Sequence, residues 1–488
     1  MPYQFDLLIR GAMLLDGSGR PGWRADLAVQ AGKIAAIGDL AAAEIQAATV
    51  VDAQGLVLAP GFIDVHTHDD LEVLRNPQML AKLSQGVTTV ITGNCGISAA
   101  PVRLTAEVPD PMNLLGQCAD FCYPAFADYA AAVDAAQPAV NVAALVGHTA
   151  LRASTMDRLD RAATPVEISQ MRAMLEAALA QGALGLSSGL AYHNANRAPA
   201  AELLALAAPL SAAGAIYTTH LRTEFDGILD ALTEAADLGE ALKVPVVVSH
   251  LKCAGVANWG RSAEVLDFFA ARRQQQALSC DCYPYSASSS TLDLAQVTGD
   301  FDIFITWSEP EPTMAGRLLA EIAADWHCSL PEAAARLMPA GAVYHGMNEA
   351  DVQRFLQAPY SMVGSDGLPC DPQPHPRLWG AFPRVLGHYC RDLQLFGLPE
   401  AVHKMTALSA ANFNLAGRGL LQEGYQADLV LFDPALVRDT ATFTSPVACA
   451  AGIASVWVNG VLSYQQGAAT GVRAGRFLPR LSSNNLQE

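Results

Sequence analysis

Eight short apolar segments recur between residues 55 and 367, and most are separated by Ala- and Leu-rich stretches with helical periodicity. They are GLVLAPGFIDVHTH, GVTTVITGNCG, NVAALVGH, ALGLSSGL, AIYTTHLR, VPVVVSHLK, ALSCDCYPY and SMVGSDG. Apolar strands that alternate with helices are typical of βα units around a parallel sheet. Eight such units in succession predict an α/β fold, specifically a (β/α)₈ barrel of the TIM type.

The two ends of the chain have a different texture. Residues 1–60 and 415–480 contain short strand-like runs broken by glycine turns, for example FDLLIRGAMLLD and IASVWVNGVLSYQQG. They predict one small, β-sandwich-like domain built from both termini, with the barrel between them at residues 61–414. Residues 286–359 are too long for an ordinary βα connection and are predicted to form an inserted cap over the barrel mouth.

The amino-acid composition excludes some classes of binding partner. The net charge of −18 argues against nucleic acid or an anionic membrane as a partner, so a small molecule is expected. No apolar run approaches the length of a membrane span, and the first residues lack the pattern of a secretion signal. Ten scattered cysteines suit free thiols in a reducing compartment, so a cytoplasmic location is predicted. The oligomeric state stays open.

Polar side chains end nearly every predicted strand, where barrel enzymes build their active sites. They are His66, His68, Cys95, His148, His220, His250, Tyr283 and Asp366. A single histidine at a strand end is more often a satisfied core residue. Two histidines spaced two apart on a strand share one face, however, and two more end later strands of the same predicted sheet. The pattern therefore favours a metal site.

Several longer motifs extend this pattern over nearly the whole chain. They are GFIDVHTHDD, GVTTVITGNCGIS, VGHTALR, THLRTE, SHLKCAG, DCYPY, VGSDG and HPRLWG. With these motifs the sequence resembles the amidohydrolase superfamily and, within it, the N-acyl-D-amino-acid deacylases. The resemblance implies zinc-dependent hydrolysis of a linear amide to a carboxylate and a free D-amino acid.

Cys95 separates this group from other amidohydrolases. No lysine lies between Lys82 and Lys243, so no strand end in that interval can supply the carboxylated lysine that bridges two metals in hydantoinases. A thiolate is a strong zinc ligand, although a buried cysteine is more often inert. The resemblance implies that Cys95, His220 and His250 hold one tight Zn²⁺. It places His66 and His68 at a second, weaker or optional position.

The resemblance also assigns roles around the metal. Asp366 matches the family's catalytic carboxylate, and Lys252, Tyr283 and Arg377 match the residues that bind the substrate's α-carboxylate. Asp366 could instead be a turn former in SDG, and Arg377 an ordinary loop cation. Four further residues lie in these motifs, and the resemblance gives them no role: His148, Arg152, Arg222 and Glu224.

The predicted cap bears on the substrate side chain. From Tyr285 to Gly316 the chain has no lysine or arginine, and Asp293 lies where an acidic side chain would need a cation. Neutral, mainly apolar D-amino acids are therefore expected, packed against residues such as Leu292, Leu294 and Ala295. The alternatives are an N-acyl-D-glutamate or D-aspartate deacylase, a cyclic-amide hydrolase of the hydantoinase or dihydroorotase kind, and a scaffold that has lost catalysis. The preferred acyl group stays open.

Overall fold

A computed structural model describes residues 4–40, 46–105 and 107–481. Residues 1–3 and 41–45 of the predicted terminal domain therefore lie outside the described part of the chain. The strands, in chain order, are β1 Phe5–Leu14, β2 Trp23–Gln30, β3 Lys33–Gly38, β4 Ala47–Asp52, β5 Val57–Pro60, β6 Phe62–Asp64, β7 Val87–Thr92, β8 Val102–Arg103, β9 Cys122–Tyr123, β10 Asn141–Ala144, β11 Val146–Gly147, β12 Gly185–Gly189, β13 Ile216–His220, β14 Val246–Val248, β15 Leu278–Cys282, β16 Ser288–Thr291, β17 Ile303–Ser308, β18 Ala340–Tyr344, β19 Ser361–Val363, β20 Leu429–Phe432, β21 Ile453–Val458, β22 Val461–Gln465 and β23 Ala468–Ala469.

The helices follow the Ala- and Leu-rich stretches. They are α1 Glu72–Arg75, α2 Leu80–Leu83, α3 Phe126–Ala136, α4 His148–Thr155, α5 Pro165–Ala180, α6 Ala200–Ala207, α7 Pro209–Ala213, α8 Ile228–Leu242, α9 Ser262–Arg272, α10 Leu319–Asp325, α11 Leu330–Leu337, α12 Glu349–Gln357, α13 Arg377–Arg384, α14 Leu398–Met405 and α15 Ala407–Asn412, and a π-helix spans Val385–Asp392. The longest, α5, begins where Thr164 and Glu167 form a capping box around Pro165. Within the described residues, no helix has the length and hydrophobicity needed to cross a membrane.

One sheet combines strands from both ends of the chain. Its order is β23-β22-β21-β20-β5-β1-β2-β3, and β4 pairs with β1. The junction between the two ends is the antiparallel pair β5 and β20, in which Val57 lies opposite Phe432. One face of the sheet buries an apolar cluster that includes Ile9, Leu58 and Trp457. The two termini are thereby held together by backbone hydrogen bonds as well as by packing.

Parallel strands occupy the middle of the chain, and each of the eight predicted segments contains at least one of them. They form the sheets β6-β7-β10 and β11-β12-β13-β14-β15-β19. Only Leu145 separates β10 from β11, and Thr67 forms a parallel bridge with Gly367. Val247 packs into one apolar cluster while its neighbours Val246 and Val248 pack into another. Both faces of this sheet are therefore buried, as parallel sheets require.

Residues 286–359 contain a small antiparallel sheet of their own, in the order β16-β18-β17. This sheet and helices α10 and α11 share a separate apolar cluster that includes Leu292, Ile305 and Leu337. Helix α12 differs, because its Phe355 and Leu356 belong to the main core cluster. The independently packed part of the segment therefore runs from β16 to β18.

Candidate metal centre

Six side chains from the ends of five parallel strands lie in or beside one buried group of donor atoms. Four of them have donor atoms within 4.8 Å of one another, namely His66, Cys95, His250 and Asp366. The Sγ atom of Cys95 lies 3.2 Å from His66 Nε2 and 3.3 Å from His250 Nε2. The rim of the parallel strands therefore gathers a thiol, imidazoles and a carboxylate in one place.

The other two predicted ligands border this group. The ring centroid of His220 lies 4.4 Å from that of His250, in an edge-to-face arrangement. His68 Nε2 lies 3.2 Å from Asp366 Oδ1, and the same oxygen is 3.4 Å from His66 Nε2. All five residues predicted to bind metal are thus brought together, with Asp366 among them.

The donor set fits zinc. Thiolate and imidazole are typical zinc ligands, and zinc–ligand bonds of about 2.0–2.3 Å place neighbouring ligand atoms roughly 3.3–3.6 Å apart, close to the observed spacing. Burial would raise the pKa of Cys95, but the adjacent His66 and His250 lower it well below its usual value, which favours the thiolate. The buried Nδ1 atoms of His68 and His220 make no hydrogen bond. One thiol and several imidazoles, the side chains that zinc prefers, therefore lie close together.

Two carboxylates support the imidazoles from behind. Asp281 Oδ2 lies 3.3 Å from His66 Nδ1, and Asp281 Oδ1 accepts the backbone N–H of His250 at 2.9 Å. Glu224 Oε1 lies 3.0 Å from His250 Nδ1. A carboxylate at Nδ1 orients the ring and leaves Nε2 to face a metal. Sequence reasoning missed Asp281, although it shares a strand face with Tyr283, two residues later.

The backbone at three of these residues adopts the left-handed conformation. The φ angles are +53° at Cys95, +36° at His250 and +48° at Asp366. For residues other than glycine this costs about 1–3 kcal/mol each and is concentrated at functional sites. Gly96 follows Cys95 with φ +76°, and a Cβ atom there would lie 2.7 Å from the backbone N of Gly189. The NCG turn therefore passes too close to β12 for any larger residue.

Asp366 has a cationic neighbour. Its Oδ2 lies 2.8 Å from Nη1 of Arg377, a residue with only 1% of its surface exposed. Arg377 also donates from Nη2 to the carbonyl of Ser289, and its guanidinium lies 4.6 Å from the ring centroid of Tyr283. Burial would raise the pKa of Asp366, but Arg377 and His250 hold it well below its usual value. Asp366 is therefore ionised at neutral pH.

Lys252 is a second cation near the same tyrosine. Its Nζ lies 5.8 Å from the ring centroid of Tyr283 and donates to Glu224 Oε1 at 2.5 Å. The same atom lies 2.7 Å from His250 Nδ1. The three residues predicted to bind the substrate's carboxylate are therefore adjacent. Both cations already have a carboxylate partner, Glu224 for Lys252 and Asp366 for Arg377.

The remaining motif residues bond elsewhere. His148 Nε2 lies 3.1 Å from Glu202 Oε1, and the fully buried Arg152 pairs with the same carboxylate. Arg222 pairs with Glu234 at 2.7 Å and donates to two backbone carbonyls. The structure therefore pairs both arginines with carboxylates that are not among the predicted metal ligands. Only Glu224, of the four unassigned residues, supports the candidate centre.

Tyr192 is a neighbour that sequence reasoning did not identify. It follows β12, and its ring centroid lies 4.9 Å from that of His220. Burial, together with the charges of Cys95 and Asp366, raises the pKa of its hydroxyl well above the usual value. The hydroxyl therefore stays protonated and can donate a hydrogen bond. Its loop, AYHNAN, has no pattern that would mark it from sequence.

Comparison with known proteins agrees with this geometry. A family model described as an amidohydrolase family matches residues 49–277 and 316–464. D-aminoacylase from Alcaligenes xylosoxydans xylosoxydans is 53% identical over 479 residues, which cover 98% of each chain. A crystal structure of D-aminoacylase, studied for its binuclear metal centre, superposes with a TM-score of 0.95 at 49% identity, over 98% of this chain and 100% of that one. N-acyl-D-glutamate deacylase from Bordetella bronchiseptica, in complex with zinc and a phosphonate inhibitor, gives 0.94 at 46% identity over the same shares.

Proposed function

Because the chain belongs to the amidohydrolase family, we propose that it is a zinc-dependent hydrolase of N-acyl-D-amino acids, which it cleaves to a carboxylate and a free D-amino acid. The observation that carries this proposal is the convergence of Cys95, four histidines and Asp366 next to a tyrosine flanked by two cations. The similarity to D-aminoacylase over nearly the full length supports the same reaction.

We assign the tight zinc to Cys95, His220 and His250, with His66 and His68 facing a second, weaker position. The 3.3 Å distance between Cys95 Sγ and His250 Nε2 and the contact of the His220 ring with that of His250 support a shared ion. The 3.2 Å distance from Cys95 Sγ to His66 Nε2 brings the second position next to the same thiol. A bound zinc ion supplies Lewis acidity, which polarises an amide carbonyl and lowers the pKa of water. The protein side chains then have to orient the amide and move one proton.

Asp366 is the proton carrier in this proposal. Its Oδ1 faces the histidine rings, and its low pKa keeps it ionised until water attacks the carbonyl carbon. It then takes the proton of that water and delivers it to the leaving nitrogen as the C–N bond breaks. In this proposal the protonated hydroxyl of Tyr192, whose ring contacts that of His220, donates to the carbonyl oxygen, where negative charge develops.

The substrate's α-carboxylate binds to Arg377, Lys252 and Tyr283. The buried Nε of Arg377 has no hydrogen-bond partner, and an incoming carboxylate can satisfy it. In a chain of net charge −18, such a local pair of cations is needed to attract an anion.

The substrate side chain is neutral and mainly apolar in this proposal. The stretch from Tyr285 to Gly316 has no lysine or arginine. Every guanidinium nitrogen of Arg152 and Arg222 already has a hydrogen-bond partner, unlike Nε of Arg377. Burial of an acidic side chain without a partner costs several kcal/mol, because the charged group loses its hydration and gains no hydrogen bond in return. Three residues are predicted to contact the substrate's apolar side chain. Leu292 is buried in the separate apolar cluster of residues 286–359, whereas Leu294 and Ala295 are exposed and can contact a ligand.

The test is a set of kcat/KM values for zinc-loaded protein with N-acetyl derivatives of D- and L-leucine, D-methionine, D-glutamate and D-aspartate. We expect the D-leucine and D-methionine derivatives to exceed the acidic ones by at least about 100-fold, or roughly 2.7 kcal/mol. The L enantiomer is expected to be inert. Equal values for D-glutamate and D-leucine would contradict the side-chain assignment. Hydrolysis of hydantoin or dihydroorotate alone would instead indicate a cyclic-amide hydrolase.

We also infer that the eight parallel strands close into a (β/α)₈ barrel. The single-residue break at Leu145 and the Thr67 to Gly367 bridge support closure at both seams between the two sheets. In this division the barrel covers residues 61–414, the terminal sheet covers 1–60 and 415–480, and 286–359 form the cap. All ten cysteines are unpaired, which supports a cytoplasmic location.

A further inference from the structure

Lys82 is a fully buried lysine whose ammonium contacts four side chains. Its Nζ lies 2.8 Å from Asp64 Oδ2 and 3.1 Å from Asp69 Oδ2. It also donates to Thr67 Oγ1 at 3.0 Å and to Ser365 Oγ at 2.9 Å. Lysine is among the residues least often buried, so this placement calls for a reason beyond packing.

The four partners of Lys82 flank the candidate metal centre. Asp64, Thr67 and Asp69 alternate along the chain with His66 and His68, and Ser365 directly precedes Asp366.

Further hydrogen bonds tie the same two segments together. Asp64 Oδ1 accepts the backbone N–H of Ser365 at 2.8 Å, and Ser365 Oγ accepts that of Gly367 at 3.1 Å. One ammonium therefore joins residues 64–69 to the turn at residues 365–367.

The positive charge of Lys82 is needed to neutralise two buried carboxylates. Without the ammonium, the carboxylates of Asp64 and Asp69 would face each other in the protein interior with no cation between them. The two carboxylates would then repel each other and move towards other hydrogen-bond partners, and this would displace their backbone. Because His66, His68 and Asp366 are neighbours of these residues in sequence, that displacement would reach the candidate ligands directly.

We propose that Lys82 is a positioning residue for the metal centre. It fixes the segment that carries His66 and His68 against the turn that carries Asp366, so that the three side chains face one point. The inference rests on the proposed function, because it takes these three residues as the zinc-binding and proton-carrying groups.

Lys404, in helix α14, offers a matched control. It is also buried, with 1% of its surface exposed, and it donates to the carbonyl of Ala358. Its charged partner is Glu400, 3.7 Å away. Lys404→Met therefore removes a second buried ammonium without touching residues 64–69 or 365–367.

The experiment compares Lys82→Met with Lys404→Met in two measurements. Chelator competition without substrate measures zinc affinity, and steady-state kinetics with N-acetyl-D-leucine separate kcat from KM. In Lys82→Met we expect zinc affinity to fall by about 10- to 100-fold. If the wild-type protein binds two zinc ions, this applies to the more weakly bound one. We expect kcat to fall by a similar factor. In Lys404→Met both should stay within about 2-fold, even where its melting temperature falls equally.

Equal zinc affinities and equal kcat values in the two variants would overturn the proposal. If Lys82→Met does not fold, Ser365→Ala removes one acceptor of the ammonium and leaves its ion pairs in place. Ser409→Ala, at a fully buried serine that bonds to the Lys404 carbonyl, is the control. An unchanged kcat in Ser365→Ala would then overturn the proposal. If the wild-type protein hydrolyses no N-acyl-D-amino acid, the proposed function fails, yet the zinc titration still decides the role of Lys82.

Discussion

Two buried clusters at the ends of the parallel strands combine histidine with a carboxylate and an arginine, yet they differ in how their donors are used. In the cluster of His148, Arg152 and Glu202, one carboxylate contacts both the imidazole and the guanidinium and also accepts the Ala163 N–H. Within that cluster, only His148 Nδ1 lacks a partner. Around Cys95, by contrast, several ring nitrogens point at one sulfur.

This difference separates a structural network from a binding site. Buried polar groups in a structural network satisfy one another, because an unpaired group in the interior is costly. A ligand site keeps donor atoms converging on a point that something else has to fill. The convergence of donor atoms on one sulfur, rather than the presence of histidine at a strand end, therefore identifies the candidate centre, and the following substitutions test that distinction.

Loss of the thiol should have the largest effect. Cys95→Ala removes a predicted ligand of the tight zinc, so we expect the metal to be lost and turnover to be undetectable. Cys253→Ala, at another buried free cysteine, is the control and should keep both. Metal analysis of the purified variants checks this, and a full complement of zinc in Cys95→Ala would remove Cys95 from the ligand set.

The carboxylates of the two clusters should differ next. Asp366→Asn keeps the shape of the side chain but cannot carry the proton, so kcat should fall by about 10²- to 10⁴-fold with zinc still bound. Glu202→Gln, in the His148 cluster, should leave kcat within about 3-fold, because the partners of Glu202 are His148, Arg152 and the Ala163 N–H rather than a predicted zinc ligand. Similar losses in both variants would erase the distinction between the clusters.

The two buried arginines should separate substrate binding from stability. Arg377→Met is expected to lower kcat/KM by about 10- to 100-fold, since it removes charge-assisted hydrogen bonds to the substrate's carboxylate. Arg152→Met leaves Glu202 without its cation and should lower the free energy of unfolding by about 3–5 kcal/mol. Its kcat/KM per folded molecule should be unchanged. Kinetics and urea unfolding on both variants measure the two effects, and a normal KM in Arg377→Met would count against its role.

The smallest effect concerns acid stability. Burial would raise the pKa of Glu202, but His148, the Ala163 N–H and Arg152 lower it from 4.5 to about 2. A carboxylate whose pKa is lowered by folding stabilises the folded state at pH values above its ordinary pKa. This contribution is lost as the pH falls from 4.5 towards 2. Zinc-free Glu202→Gln should therefore lose roughly 2 kcal/mol less than the wild-type protein over this range. Urea titrations at several pH values decide this, and parallel losses would exclude Glu202 as a contributor.

Much of the fold could be predicted because its signals are local. Apolar runs marked the parallel strands, and the spacing of His66 and His68 marked a shared face. The supporting residues could not be found this way, because their roles depend on distant contacts. Asp281 reaches His66 across 215 positions, and Lys82 reaches Ser365 across 283. The same limit applies to His148, since its partner Glu202 lies 54 residues further on.

The left-handed backbone at Cys95 has a consequence for protein engineering. Glycine tolerates this conformation better than cysteine, so Cys95→Gly relieves conformational energy in the folded chain. A library of the zinc-free protein selected for heat resistance alone would therefore enrich Cys95→Gly, which removes the thiol. Selection for a more robust variant of this protein has to score turnover in every round, because at this position heat resistance and activity favour opposite residues.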